Sequence, residues 1–157
     1  MKKPVYNVIL ISAIFSLFLG LVITPSISGI VKIELNKTMK GNTLYVGGTG
    51  PGNFSDIQEA IDNSEDGDTI FVYIGDYPAN IVIDKSVFLI GENRERTIIQ
   101  DGSDGIFVFA DEVTIKNFTI THCGGFWDKA GILVRSNDNT ICYNNIVDNG
   151  VLNGIYI

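Results

Sequence analysis

Four charged residues stand near one another late in the chain: Asp128, Arg135, Asp138 and Asp148. An arginine beside carboxylates can act as a base, or hold a sugar carboxylate next to a cation bound by the acids. The same residue types also form ordinary surface ion pairs worth under about 1 kcal/mol. Just upstream, Phe126-Trp127-Asp128 sets two adjacent aromatics in a loop-like stretch. Their faces suit a sugar ring, or they fold back over apolar neighbours. Phe126, Trp127, Asp128, Arg135 and Asp138 are therefore the candidate binding residues, and none is assigned a catalytic role. His122-Cys123 is an adjacent pair, and neighbours on a strand point to opposite faces, so no metal site is expected there. No cofactor is expected either.

These candidates sit among short β-branched strands separated by polar Asn, Asp and Gly corners. Val113 to Gly124 repeats as Asn139 to Gly150, which sets Ile115 over Ile141, Phe118 over Asn144 and Ile120 over Ile146. Gly131-Ile-Leu-Val134 recurs as Gly154-Ile-Tyr-Ile157 at a slightly shorter step. Repeats of this length, built on short strands, predict a parallel β-helix in which each coil stacks on its neighbours. The fold class is thus all-β, a solenoid over 43–157 with coils over 69–157. Gly75, Gly91, Gly102, Gly105, Gly124, Gly125, Gly131 and Gly150 are expected at the corners with Asn and Asp beside them, since all three residue types tolerate left-handed backbone. Asn144 is expected to face inward and bond corner backbone groups. Cys123 and Cys142 fall in different columns of the repeat, so a disulfide is not expected.

Ahead of the coils, Gly47-Gly48-Thr49-Gly50-Pro51-Gly52 follows the strand Thr43–Val46 and reads as a turn, since it lacks the lysine of a phosphate loop. A short capping helix is predicted over 55–63, with Ser55 and Gln58 as a capping box and Ile57, Ala60 and Ile61 on one face. Such a helix can cover the open first edge of a solenoid. At the other end the sequence stops within a strand at Ile157, so the array is expected to be unfinished.

The N-terminus reads as an export signal over 1–28: Lys2 and Lys3, an apolar helix from Val5 to Ile23, then Ser26-Ile27-Ser28. The apolar stretch also approaches the length of a membrane span, so an uncleaved anchor through residues 5–23 stays open. Either way the remainder is placed outside the cytoplasm, with 29–42 as a spacer. Net charge is −7, and Lys and Arg are scattered apart from Arg94 and Arg96, which excludes nucleic acid as a partner. Asn36, Asn53 and Asn117 begin Asn-x-Ser/Thr sequons and are possible glycosylation sites.

Phe54 to Asn63, Gly67 to Tyr77, Ile83 to Gly91 and Thr97-Ile-Ile99 together resemble the opening of right-handed β-helix proteins of the pectin-lyase-like superfamily. The later Asn-Thr-Ile and Gly-Ile-Tyr-Ile phrases look like the NosD-type repeats of periplasmic and archaeal surface proteins. The resemblance implies the fold and leaves the activity open, because such folds host many sites. The opening is also similar to that of pectin methylesterases, but no Gln-Asp-Thr phrase follows; the glutamines are Gln58 and Gln100. The polygalacturonase-like phrases are missing as well, and the sole histidine, His122, lies between Thr121 and Cys123. The expected function is a non-catalytic exported or cell-surface module that contacts a polysaccharide or a surface protein. A carbohydrate-active enzyme of lyase or esterase type, or its remnant, is the alternative, and a gene fragment without independent activity is a second.

Overall fold

The computed structural model describes residues 22–25, 31–34, 41–123, 130–149 and 153–157. The chain divides into two units, Met1–Thr38 and Met39–Ile157. In the first, β1 (Val22–Pro25) pairs antiparallel with β2 (Val31–Glu34). The spacer expected over 29–42 therefore contains a strand. The rest of the expected export segment, and Asn36, lie outside the described residues. No helix among those described is long and apolar enough to cross a membrane.

The second unit is a parallel β-solenoid. β3 (Thr43–Val46) leads to helix α1 (Ile57–Asp62). Then come β4 (Thr69–Val72), β5 (Gly75–Pro78), β6 (Ile81–Ile83), β7 (Phe88–Gly91), β8 (Thr97–Gln100) and β9 (Ile106–Val108). β10 (Thr114–Lys116), β11 (Thr119–Thr121), β12 (Ala130–Val134), β13 (Thr140–Cys142), β14 (Asn145–Val147) and β15 (Asn153–Tyr156) follow. Every third strand stacks on the one before. The first sheet runs β3-β4-β7-β10-β13, the second β5-β8-β11-β14 and the third β6-β9-β12-β15.

Strand alternation turns one set of side chains inward, where identical columns form. Leu44, Ile70, Leu89, Ile115 and Ile141 are in register in the first sheet. Tyr77, Ile99, Ile120 and Ile146 form the second column, and Ile81, Ile106, Ile132 and Ile155 the third. Most are fully buried, and Phe118, just before β11, is the largest fully buried side chain among the described residues. Each buried aliphatic contributes about 1.5–3 kcal/mol relative to exposure, so the columns are the main stabilising term. The pairs Ile115 with Ile141 and Ile120 with Ile146 stand as the repeat predicts.

Asn80, Asp101, Asn117, Asp138 and Asp148 take the left-handed corner backbone expected of Asn and Asp, and several glycines do not. Glu112, Asn117 and His122 have positive φ, and so do Asp138, Tyr143 and Asp148 one coil later. The residue after each of them turns inward: Val113, Phe118 and Cys123, then Asn139, Asn144 and Asn149. For this reason β10 and β11 begin one residue later than the β-branched runs suggest. Gly91 and Gly105 are not in the left-handed region and serve close approach instead. A Cβ on Gly91 would strike the Asn117 carbonyl, and one on Gly105 the Gly131 carbonyl. β5 was not expected, because Gly75-Asp-Tyr-Pro78 carries no β-branched signal.

Helix α1 is capped by Asp56, not Ser55. The Asp56 carboxylate accepts from the Gln58 and Glu59 amides at 2.6 and 3.3 Å. Shifting the cap by one frees Gln58. Its side chain accepts from Val82 N at 2.8 Å and donates to Val82 O at 3.2 Å, which satisfies the outer backbone edge of β6. Ile57, Ala60 and Ile61 complete the contact from below.

Candidate binding surfaces

Three asparagines, five residues apart, tie the last coil to the one before it. Asn139, Asn144 and Asn149 accept from the amides of Val113, Phe118 and Cys123 at 2.9, 2.9 and 3.0 Å. Asn144 and Asn149 also donate to the carbonyls of Ile115 and Ile120 at 2.9 and 2.7 Å, while Asn139 donates to Ser136 Oγ. Asn144 thus faces inward, as its alignment with Phe118 predicts. These bonds fix the register of the corner that carries Tyr143.

That corner borders the more elaborate of two surfaces. Between β7 and β8 the chain swells outward at Glu92–Arg96, where the next coils make a tight turn. The bulge is held from several sides. Glu92 accepts from Ile74 N at 2.9 Å, and Asn93 Oδ1 accepts from Glu95 N at 2.9 Å. The Arg94 carbonyl accepts from Thr119 Oγ1 at 2.7 Å, and the Arg96 carbonyl from Gly75 N at 2.9 Å. Arg94, Glu95 and Arg96 are displayed to solvent on this fixed backbone. Arg94 and Glu95 line a depression with Asn93, Asn117 and Tyr143. On the other side Glu95 and Arg96 line a second depression with Asp76 and Ile98, and Asp76 continues into a third with Gln100 and Asp101. The result is a shallow, mixed-charge track from the first corner onto the second sheet.

Tyr143 is the unusual residue on this track. It is 73% exposed, and its φ of +57° places a bulky side chain in the left-handed region. Such a conformation is tolerated by Asn, as at Asn117 one coil earlier, and costs a bulky residue about 1–2 kcal/mol. In β5 of the second sheet, Tyr77 donates to the Tyr73 carbonyl at 2.9 Å. Burial, and then the charge of Glu92, push its hydroxyl above the ordinary value.

The second surface is the outer face of the third sheet. Val82, Phe107, Leu133 and Tyr156 are in register there. The rings of Phe107 and Phe109 are parallel within 1°, with centroids 6.2 Å apart. Arg135 lies over the Tyr156 ring at 5.2 Å.

Of the charged and aromatic candidates singled out from sequence, the described ones are Arg135, Asp138 and Asp148. Arg135 engages Tyr156, and among the described residues no ion pair joins it to Asp138 or Asp148. Asp138 and Asp148 occupy two different corners of one coil. Phe126, Trp127 and Asp128 lie outside the described residues. Asn117 lines the first depression, and Asn53 donates to the Gly47 carbonyl at 2.6 Å. Sequence reasoning missed Tyr143, although its alignment with Asn117 marks a bulky residue at a left-handed corner. Cys123 and Cys142 are both free. Burial, chiefly, raises the Cys123 thiol above its ordinary value, with Asp101 adding to it. Among the described residues no group of three or more His, Cys, Asp or Glu side chains could hold a metal ion.

Comparison with protein-family models, with curated proteins and with solved structures finds no match.

Proposed function

We propose that the chain is a non-catalytic, exported β-helix module, right-handed and of the pectin-lyase-like kind with NosD-type repeats, that contacts carbohydrate. The contact surface is the track bounded by Tyr143, Asn117 and the Arg94–Arg96 bulge, and helix α1 is the cap of the solenoid's first edge. One observation carries this proposal: an aromatic side chain is held exposed at a corner where its backbone conformation is costly. Backbone strain concentrated in a solvent-facing aromatic is a mark of function. A tyrosine face beside amide and guanidinium donors fits the stacking and hydrogen-bonding needs of a sugar ring. The net charge of −7 favours a neutral chain over a highly acidic one.

The test is binding of the protein to a panel of neutral and acidic polysaccharides, with Tyr143→Ala and Trp127→Ala in parallel and product release followed in the same samples. Binding lost in Tyr143→Ala without bond cleavage supports the proposal. Loss confined to Trp127→Ala moves the contact to the Phe126–Trp127 segment. Accumulating product replaces the module with a carbohydrate-active enzyme.

A further inference from the structure

The carbohydrate track leaves the outer face of the third sheet unused. Its first row is Val82, Phe107, Leu133 and Tyr156, joined by the strand register. The second row follows directly after the stacked residues Ile83, Val108 and Val134, and consists of Asp84, Phe109 and Arg135. Val82, Phe109 and Tyr156 are 37%, 53% and 44% exposed. A continuous aromatic and aliphatic stripe of this kind marks an interaction surface. The two charged residues of the second row are solvent-exposed and lie one coil to either side of Phe109.

We infer that this face packs against the same face of a second copy of the chain, about a two-fold axis running along β9. Such an axis reverses the order of coils and keeps each row opposite itself. Phe107 and Phe109 then meet their own counterparts at the centre. Val82 meets Leu133, and Asp84 of each copy meets Arg135 of the other. The charge pattern is therefore self-complementary only in this arrangement, which is what an isologous interface requires. Arg135 is already held over Tyr156, so its guanidinium loses little freedom on pairing. Four strands at about 4.8 Å spacing give a face only about 14 Å tall between outer strands. That is at the small end for protein interfaces, so the dimer dissociates on dilution.

Sedimentation velocity of the full chain over a range of concentrations tests this. The wild type should pass from monomer to dimer as concentration rises. Asp84→Lys or Arg135→Glu alone should raise the dissociation constant at least about tenfold, because each leaves like charges facing. The double variant should return to within about threefold of wild type, since the pair re-forms with reversed sign. Phe109→Ser should weaken the dimer without touching either charge. All three positions are exposed, and an unchanged circular dichroism spectrum confirms the fold of each variant. A monomer at every concentration, a dimer indifferent to the single reversals, or a double variant no better than the singles would overturn the inference.

Discussion

Asn149 is the most informative position to perturb in the solenoid itself. It is only 8% exposed, and its side chain makes two bonds to the coil before it. Its Oδ1 accepts from Cys123 N at 3.0 Å, and its Nδ2 donates to Ile120 O at 2.7 Å. Asn149→Ala removes both partners and leaves a buried amide and a buried carbonyl without them. Each such group costs about 1–3 kcal/mol, so the substitution should destabilise by about 2–5 kcal/mol. Asn139→Ala should cost less, about 1 kcal/mol, because Asn139 is only partly buried and its donor serves a side-chain hydroxyl. Urea unfolding gives the totals, but stacked coils need not unfold in one step. Amide hydrogen exchange supplies the local readout: Cys123 N should lose protection in Asn149→Ala while Val113 N, served by Asn139, keeps it. A stability change under about 0.5 kcal/mol, or uniform loss of protection, would refute the asparagine ladder as what holds this register.

Other substitutions report on separate parts of the fold. Gly105→Ala should destabilise by about 1–3 kcal/mol in urea unfolding, since its Cβ has no space against the Gly131 carbonyl. Gln58→Ala should increase hydrogen exchange at the Val82 amide, which loses its acceptor. In native protein a thiol reagent should modify partly exposed Cys142 well before buried Cys123, as followed by mass spectrometry. Cys123 is raised above its ordinary 9.0 in the folded state, so the native protein holds that proton where the unfolded chain has released it. Stability from this group is complete below about pH 9 and is lost as pH rises through the folded value; Cys123→Ser should reduce that alkaline loss in thermal unfolding scans.

Much of the architecture was legible because the repeat is chemical as well as numerical. β-branched residues recur at one step, and burial of identical aliphatic columns is the force that selects the register. The inward Asn144 was legible for the same reason, since it replaces Phe118 in an inward-facing column. The corners were less legible. Asn117, Asp138 and Asp148 take the left-handed backbone expected of Asn and Asp, but Glu112, His122 and Tyr143 take it too, with no such residue type to signal it. Gly91 and Gly105 instead stand where one coil's backbone touches the next, a tertiary requirement with no local signature. The helix cap is Asp56 and not Ser55, and Gln58, released from a capping role, is engaged by Val82, a partner 24 residues away. The candidate site was legible only in pieces. Arg135 was noticed for its acidic neighbours in sequence, but its contact is Tyr156, one coil on and reachable only through strand register. The track along Arg94–Arg96, Asn117 and Tyr143 joins three coils, so no local window contains it.

The carbohydrate proposal and the strain at Tyr143 meet in a single variant, Tyr143→Asn, measured for both stability and polysaccharide binding. Asparagine suits the left-handed corner, as Asn117 does one coil earlier. The account predicts a gain of about 1 kcal/mol in unfolding free energy together with loss of binding, the exchange expected when a strained residue is kept for function. A variant that binds as well as wild type, or one that is less stable, would contradict it.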